Sequence, residues 1–320
     1  MAMQISGVTI QGGMNILPAG GSPSPGPSYS FQGSNFGYST GGYQNNYVNV
    51  IDKFPFASDA NATDVGDLTQ ATNGSAGQSS STNGYNSGGG PGGIDIIGKF
   101  PFSSDGNATD VGDLTVARRY GAGQSSSASG YTSGGGAPAT NNTIDKFPFS
   151  SDGNATDVGD LSLDRFYTAG QSSSASGYTS GGKDTDLSPG LSNVIDKFPF
   201  ASDTNATDVG NLAVTRWGAV GQSSSDNGYT SGGYNTSHSN VIDKFSFTSD
   251  GNATDVGDLT ANRRYLAGQS STASGYSSGG IGLDNAIFDR IDKFPFASDA
   301  NATDVGDLTP QRYGPAGQQY

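Results

Sequence analysis

Apolar positions are sparse along this chain, but they recur. The stretch IDKFPFASDANATDVGDLT starts at Ile51 and returns, lightly altered, at Ile144, Ile195, Ile242 and Ile291; a changed form, IGKFPF, starts at Ile97. A second stretch, GYxSGG or a close variant, places its tyrosine at Tyr38, Tyr85, Tyr131, Tyr178, Tyr229 and Tyr276. A third, AGQSS, centres on Gln78, Gln124, Gln171, Gln222 and Gln269, and its last copy is the AGQQY around Gln318; successive glutamines lie 46 to 51 residues apart. Within IDKFPF, period-two alternation puts Asp52, Phe54 and Phe56 on one side of a strand and Ile51, Lys53 and Pro55 on the other. Each period therefore predicts four short strands, carrying AGQSS, GYTSGG, IDKFPF and TDVGDL, separated by turn-forming Gly, Asn, Asp and Ser.

Four strands in a period of this length are the signature of a propeller blade. A β-helix needs a much shorter period, and a row of independent units this small lacks core. The expectation is an all-β, six-bladed β-propeller of four-stranded antiparallel blades over residues 29–320. Its cohesion is expected from the paired phenylalanines, which face the layer between blades; burying one ring stabilises by about 1.5–3 kcal/mol. The chain enters the repeat just before a GYSTGG run and leaves it with AGQQY. The terminal strand is thus expected to complete blade one and close the ring, removing two sheet edges. Residues Tyr29 to Ser34 are the competing candidate for that place.

Residues 1–28 stand apart. Ile5, Val8, Ile10 and Ile16 alternate with polar residues and glycine, and a Pro/Gly/Ser linker runs from Pro18 to Ser28. A short apolar strand on a tether suits strand addition to a partner, or to further copies of this chain. Met1 to Ile10 has neither a basic start nor a long apolar run, so no secretion leader is expected.

Composition alone leans towards a poorly folded chain, with 32% hydrophobic residues and 51 glycines among 320; the regular placement of the apolar residues outweighs it. The net charge of −14 argues against nucleic acid and anionic membrane surfaces as partners, since both demand a basic footprint. No cysteine is present, which excludes disulfides and thiolate metal sites.

The Gly-Gly pairs (Gly88-Gly89, Gly134-Gly135, Gly181-Gly182) and the arginine four residues after a leucine (Arg118, Arg165, Arg216, Arg263, Arg312) resemble the kelch repeat. The first repeat departs with Thr72, and the late tryptophan of kelch blades is missing. The wording DKFPFASDANATDVGDLT is similar to repeats of virion-associated proteins of marine bacteriophages, including cyanophages, over nearly all of residues 36–320. That resemblance implies a tail, fibre or capsid appendage, made in the host cytoplasm and carried on the particle, with the N-terminal arm on other virion proteins. The alternative is a lectin-like propeller that binds a glycan or a receptor.

The candidate chemistry is thin. His238 is the sole histidine and lies in a Ser/Asn-rich loop, so catalytic constellations and the copper ligands of propeller oxidases cannot be assembled; no enzymatic role is expected. Asp59, Asn61, Thr63 and Asp67 offer oxygen ligands at alternate positions, as in part of a calcium loop, whereas the plain reading of the same residues is a hydrogen-bonded turn. The Asp-Lys pair of IDKF either bridges to neighbouring blades or is solvated. Arg118 with Tyr120, Arg165 with Tyr167, Arg216 with Trp217, Arg263 with Tyr265 and Arg312 with Tyr313 suggest two roles. One is a brace between strands; the other is a ring of Arg and aromatic groups on one face for protein or glycan contact. The most variable loops follow the Gly-Gly pairs, and Leu187, Leu191, Ile281, Leu283, Ile287 and Phe288 in them are candidates for contact with another subunit.

Overall fold

The computed structural model describes residues 32–137, 139–184 and 190–320. The arm residues Ile5, Val8, Ile10 and Ile16, and Leu187, lie outside the described residues. The described chain forms six four-stranded antiparallel sheets. The third blade shows the pattern, with strands Ala122–Ser125, Ser129–Ser133, Thr143–Pro148 and Thr156–Asp160 paired in chain order from the axis outwards. Blade one is composite. Its inner strand is the C-terminal Ala316–Gln319, paired with Phe36–Thr40 in the register Tyr38 opposite Gln318. Gln32 and Gly33 instead reach the sixth blade, bonding to Ser271 and Ser270.

Glycine permits the ring to be this tight at its axis. A Cβ on Gly221 would sit 2.0 Å from the carbonyl oxygen of Gly170 in the neighbouring blade, and its five counterparts meet the same obstacle. Only a residue without a side chain allows backbones to approach so closely.

Both faces of every blade are buried. Phe54 and Phe56 pack against Tyr276, Ile291 and Leu308 of blade six, while Tyr38, Ile51 and Leu68 receive Phe100 and Phe102 of blade two. The Phe56 and Tyr276 rings stack at 4.7 Å. The phenylalanine face of one blade thus plugs into the tyrosine–isoleucine face of the one before it. The tyrosine of the GYxSGG run is therefore the main partner of the phenylalanines.

The repeated polar residues fasten the same joints. Each buried glutamine of the inner strands donates to a carbonyl in the next blade: Gln78 to Tyr131, Gln124 to Tyr178, Gln171 to Tyr229, Gln222 to Tyr276, Gln269 to Tyr38 and Gln318 to Tyr85. The Asp-Lys pair points both ways, as alternation requires. Lys53 reaches forward to Asp105 at 2.9 Å, and Asp52 reaches back to Arg312 at 2.9 Å.

Candidate functional site

In an antiparallel blade the four strands present their connections at two ends. At one end lie the hairpins after the inner strand and the DANAT turns, whose wording barely changes between blades. At the other lie the Gly-Gly loops and the connections that follow each arginine, where the repeat loses its regularity. The variable end is the candidate site.

The arginines are not part of that surface. Arg118, Arg165, Arg216, Arg263 and Arg312 are buried, at most 1% exposed. Their guanidinium groups pair with Asp145, Asp196, Asp243, Asp292 and Asp52 of the following blade at 2.7–3.0 Å. Arg165 also donates to the carbonyls of Thr179, Gly181 and Val194. This corrects the expectation of an arginine ring on the face: an isolated buried charge is costly, and each is paired with a carboxylate inside the joint. The sixth joint explains the two irregular repeats. Thr72 stands where the arginine would be, and Gly98 stands where its aspartate partner would be. Both halves of the pair are missing together, so no lone charge is left between blades one and two.

The aromatic residues do reach the face. Tyr120, Tyr167 and Tyr265, two positions after their arginines, have φ of 60°, 59° and 58°. The sister positions in the other blades are Gly74, Gly218 and Gly314, with φ of 66–68°. Their amides close a cyclic chain of backbone hydrogen bonds round the axis: Gly74 donates to Gly314, Tyr120 to Gly74, Tyr167 to Tyr120, Gly218 to Tyr167, Tyr265 to Gly218 and Gly314 to Tyr265. The left-handed conformation costs a side-chain-bearing residue about 1–2 kcal/mol, so the three tyrosines are held where glycine serves equally well.

Their rings form a half-buried cluster over the axis. Tyr120 and Tyr167 lie 4.2 Å apart, Tyr167 and Trp217 4.9 Å, and Tyr265 and Tyr313 5.9 Å. Arg264, next to the buried Arg263, lies over Trp217 at 4.7 Å and Tyr234 at 4.8 Å. Burial, reinforced by Tyr167, pushes the Tyr120 hydroxyl up to about 12 and Tyr265 higher still, so both remain protonated donors at neutral pH. His238 lies edge-on to Tyr234 at 5.2 Å, and burial and Arg264 push its pKa down.

The Gly-Gly loops meet this face through the residue after each pair. Tyr43 bridges to Tyr313, Gly136 to Arg119, Lys183 to Phe166, Tyr234 to Trp217 and Ile281 to Arg264. Tyr43 and Tyr234 belong to the site although the repeat does not announce them; the available signal is their fixed place after Gly-Gly. Of the loop residues expected to contact another subunit, Leu283 is exposed, Leu191, Ile287 and Phe288 are half-buried, and Ile281 is buried.

The proposed calcium ligands lie at the opposite, regular end, with protein partners. Asp59 pairs with Lys293 at 3.0 Å, the Asn61 side-chain oxygen accepts from the Asp307 amide, and Thr63 donates to the Lys53 carbonyl. The amide of Asp67 donates to Asn107 of blade two. Equivalent Lys–Asp pairs and Asn bonds recur at the other joints. The cross-blade turn gives these residues a structural role. No protein-family model matches the chain, and no curated protein matches its sequence.

Proposed function

We propose that the chain is a non-enzymatic binding scaffold whose aromatic face contacts a polysaccharide on a host-cell surface, and that a virion carries it, with residues 1–28 as the attachment arm. The virion role is supported by the wording of the repeat alone. The contact surface is supported by one observation above the rest: Tyr120, Tyr167 and Tyr265 keep their rings at positions with positive φ, where Gly74, Gly218 and Gly314 meet the same backbone demand. Conformational cost retained at one patch points to a use for the side chains there. Aromatic faces with interleaved Arg264 and Trp217 are suited to the apolar faces and hydroxyl rims of sugars.

The test is direct. Tyr120→Gly, Tyr167→Gly and Tyr265→Gly combined remove the rings but keep a backbone the fold already uses at three sister sites. The purified chain is expected to bind polysaccharides on an array of bacterial surface glycans. The triple variant is expected to lose that binding while keeping a cooperative melt. Undiminished binding by the folded triple variant, or no binding by the parent chain to any glycan, overturns the reading.

A further inference from the structure

The face is not uniform around the ring. Between blades two and three it opens into a cavity of about 500 Å³, lined by Arg119, Tyr120, Gly136, Asp164, Phe166 and Tyr167 among others. Its origin is a missing side chain. At the position after the Gly-Gly pair the blades carry Tyr43, Gly90, Gly136, Lys183, Tyr234 and Ile281. In blade five the Tyr234 ring fills the space beside Trp217, 5.4 Å away, and in blade one Tyr43 fills the space beside Tyr313 at 5.4 Å. Opposite Arg119 there is only Gly136. Its backbone does not require glycine: unlike Gly90, with φ 77°, Gly136 is not in the left-handed region. A Cβ there would first meet the Ala139 carbonyl oxygen at 3.2 Å, a contact that a small shift relieves.

From this the geometry points to a pyranose-binding subsite, in which a sugar ring occupies the slot that a tyrosine occupies in blades one and five. The inference rests on the reading of this face as a glycan-contact surface and names one place on it. The wall is aromatic and continuous, with Tyr120 4.2 Å from Tyr167 and Tyr167 4.4 Å from Phe166. A pyranose presents an apolar C–H face to such a wall and a rim of hydroxyls to its surroundings. Arg119, 5.0 Å over the Tyr120 ring, supplies donors on that rim, and Asp164 supplies acceptors. The volume lies within the usual range of small-ligand pockets, about 300–1,000 Å³. A phosphate or nucleotide is disfavoured by Asp164 and by the chain's net charge of −14.

The experiment is saturation-transfer NMR on the full chain with a panel of methyl pyranosides: glucoside, galactoside, mannoside, N-acetylglucosaminide and glucuronide. At least one is expected to receive transfer at its ring protons. Gly136→Tyr, which supplies the side chain blade five carries, should abolish the transfer, and Phe166→Ala should weaken it about tenfold, equivalent to about 1.4 kcal/mol. Leu283→Ala, an exposed loop residue of blade six outside the slot, should leave it unchanged. Melting curves on each variant separate a blocked slot from a failed fold, and Phe166→Ala carries the test if Gly136→Tyr does not fold. Failure of every glycoside to bind, or transfer that survives both substitutions, overturns the subsite. Polysaccharide binding on the array that survives Gly136→Tyr but is lost in Trp217→Ala overturns the slot and leaves the broader face standing. Absence of any polysaccharide binding overturns both.

Discussion

Asp243→Gly should destabilise the protein by about 3–5 kcal/mol, and adding Arg216→Thr to it should restore part of that loss. In the parent the two side chains meet at 2.8 Å with both buried. Burial pushes the pKa of Arg216 down and that of Asp243 up, so each charge is uncomfortable alone and tolerated because of the other. Removing the carboxylate strands a guanidinium whose other partners are the carbonyls of Thr230 and Val241. The double change instead reproduces the residue pair of the joint between blades one and two, where Thr72 and Gly98 stand at the two equivalent positions. Urea unfolding of the parent, both single variants and the double variant measures the coupling, expected at about 0.5–3 kcal/mol or more. The double variant should be more stable than Asp243→Gly. Losses that simply add would mean the arginines do not act through their aspartates.

Deletion of residues 316–320 should cost a large share of the total stability, which for a folded domain is about 5–15 kcal/mol. The segment is the inner strand of blade one and one of the six at the axis. With it go the Gln318 bonds to Tyr85 and Thr40, and the stacking of Tyr320 on Phe102 at 5.2 Å. The deletion also exposes the edge of Phe36–Thr40, a template for pairing with other chains. The truncated chain is expected to elute as aggregate, and a synthetic peptide PAGQQY added during refolding should restore the parent's elution position by strand addition. A truncated chain with the parent's melting temperature would show that the terminal strand does not close the ring.

The architecture was legible because it was written six times. Four runs per period gave the blade, the phenylalanine alternation gave a buried face, and the positions of Phe36–Thr40 and AGQQY gave the closure. The arginines were harder to place. A residue four after a leucine reads equally as surface or brace, and its aspartate partner lies in the next repeat, about thirty residues on, inside a motif that looked complete in itself. Thr72 and Gly98 were both visible as departures, but only the joint shows them to be one. Asp59 and Asn61 recur where turns are fastened across blades, the plain reading of that stretch. The site itself was half legible. Tyr120, Tyr167, Trp217, Tyr265 and Tyr313 stand out as aromatics in a variable connection, whereas Tyr43, Tyr234 and Gly136 share only a fixed place after Gly-Gly, and their position against that connection emerges in space. A cavity made by an absent side chain leaves little trace in one sequence.

Both large effects follow from a single claim: the blades are stabilised mainly by one another, through interlocked aromatic faces and fasteners at every joint. Differential scanning calorimetry of the full chain tests it. A closed ring of mutually dependent blades should unfold in one transition, with calorimetric and van't Hoff enthalpies equal. Several resolved transitions, or a calorimetric enthalpy severalfold above the van't Hoff value, would mean that blades fold as separate units and would contradict the account.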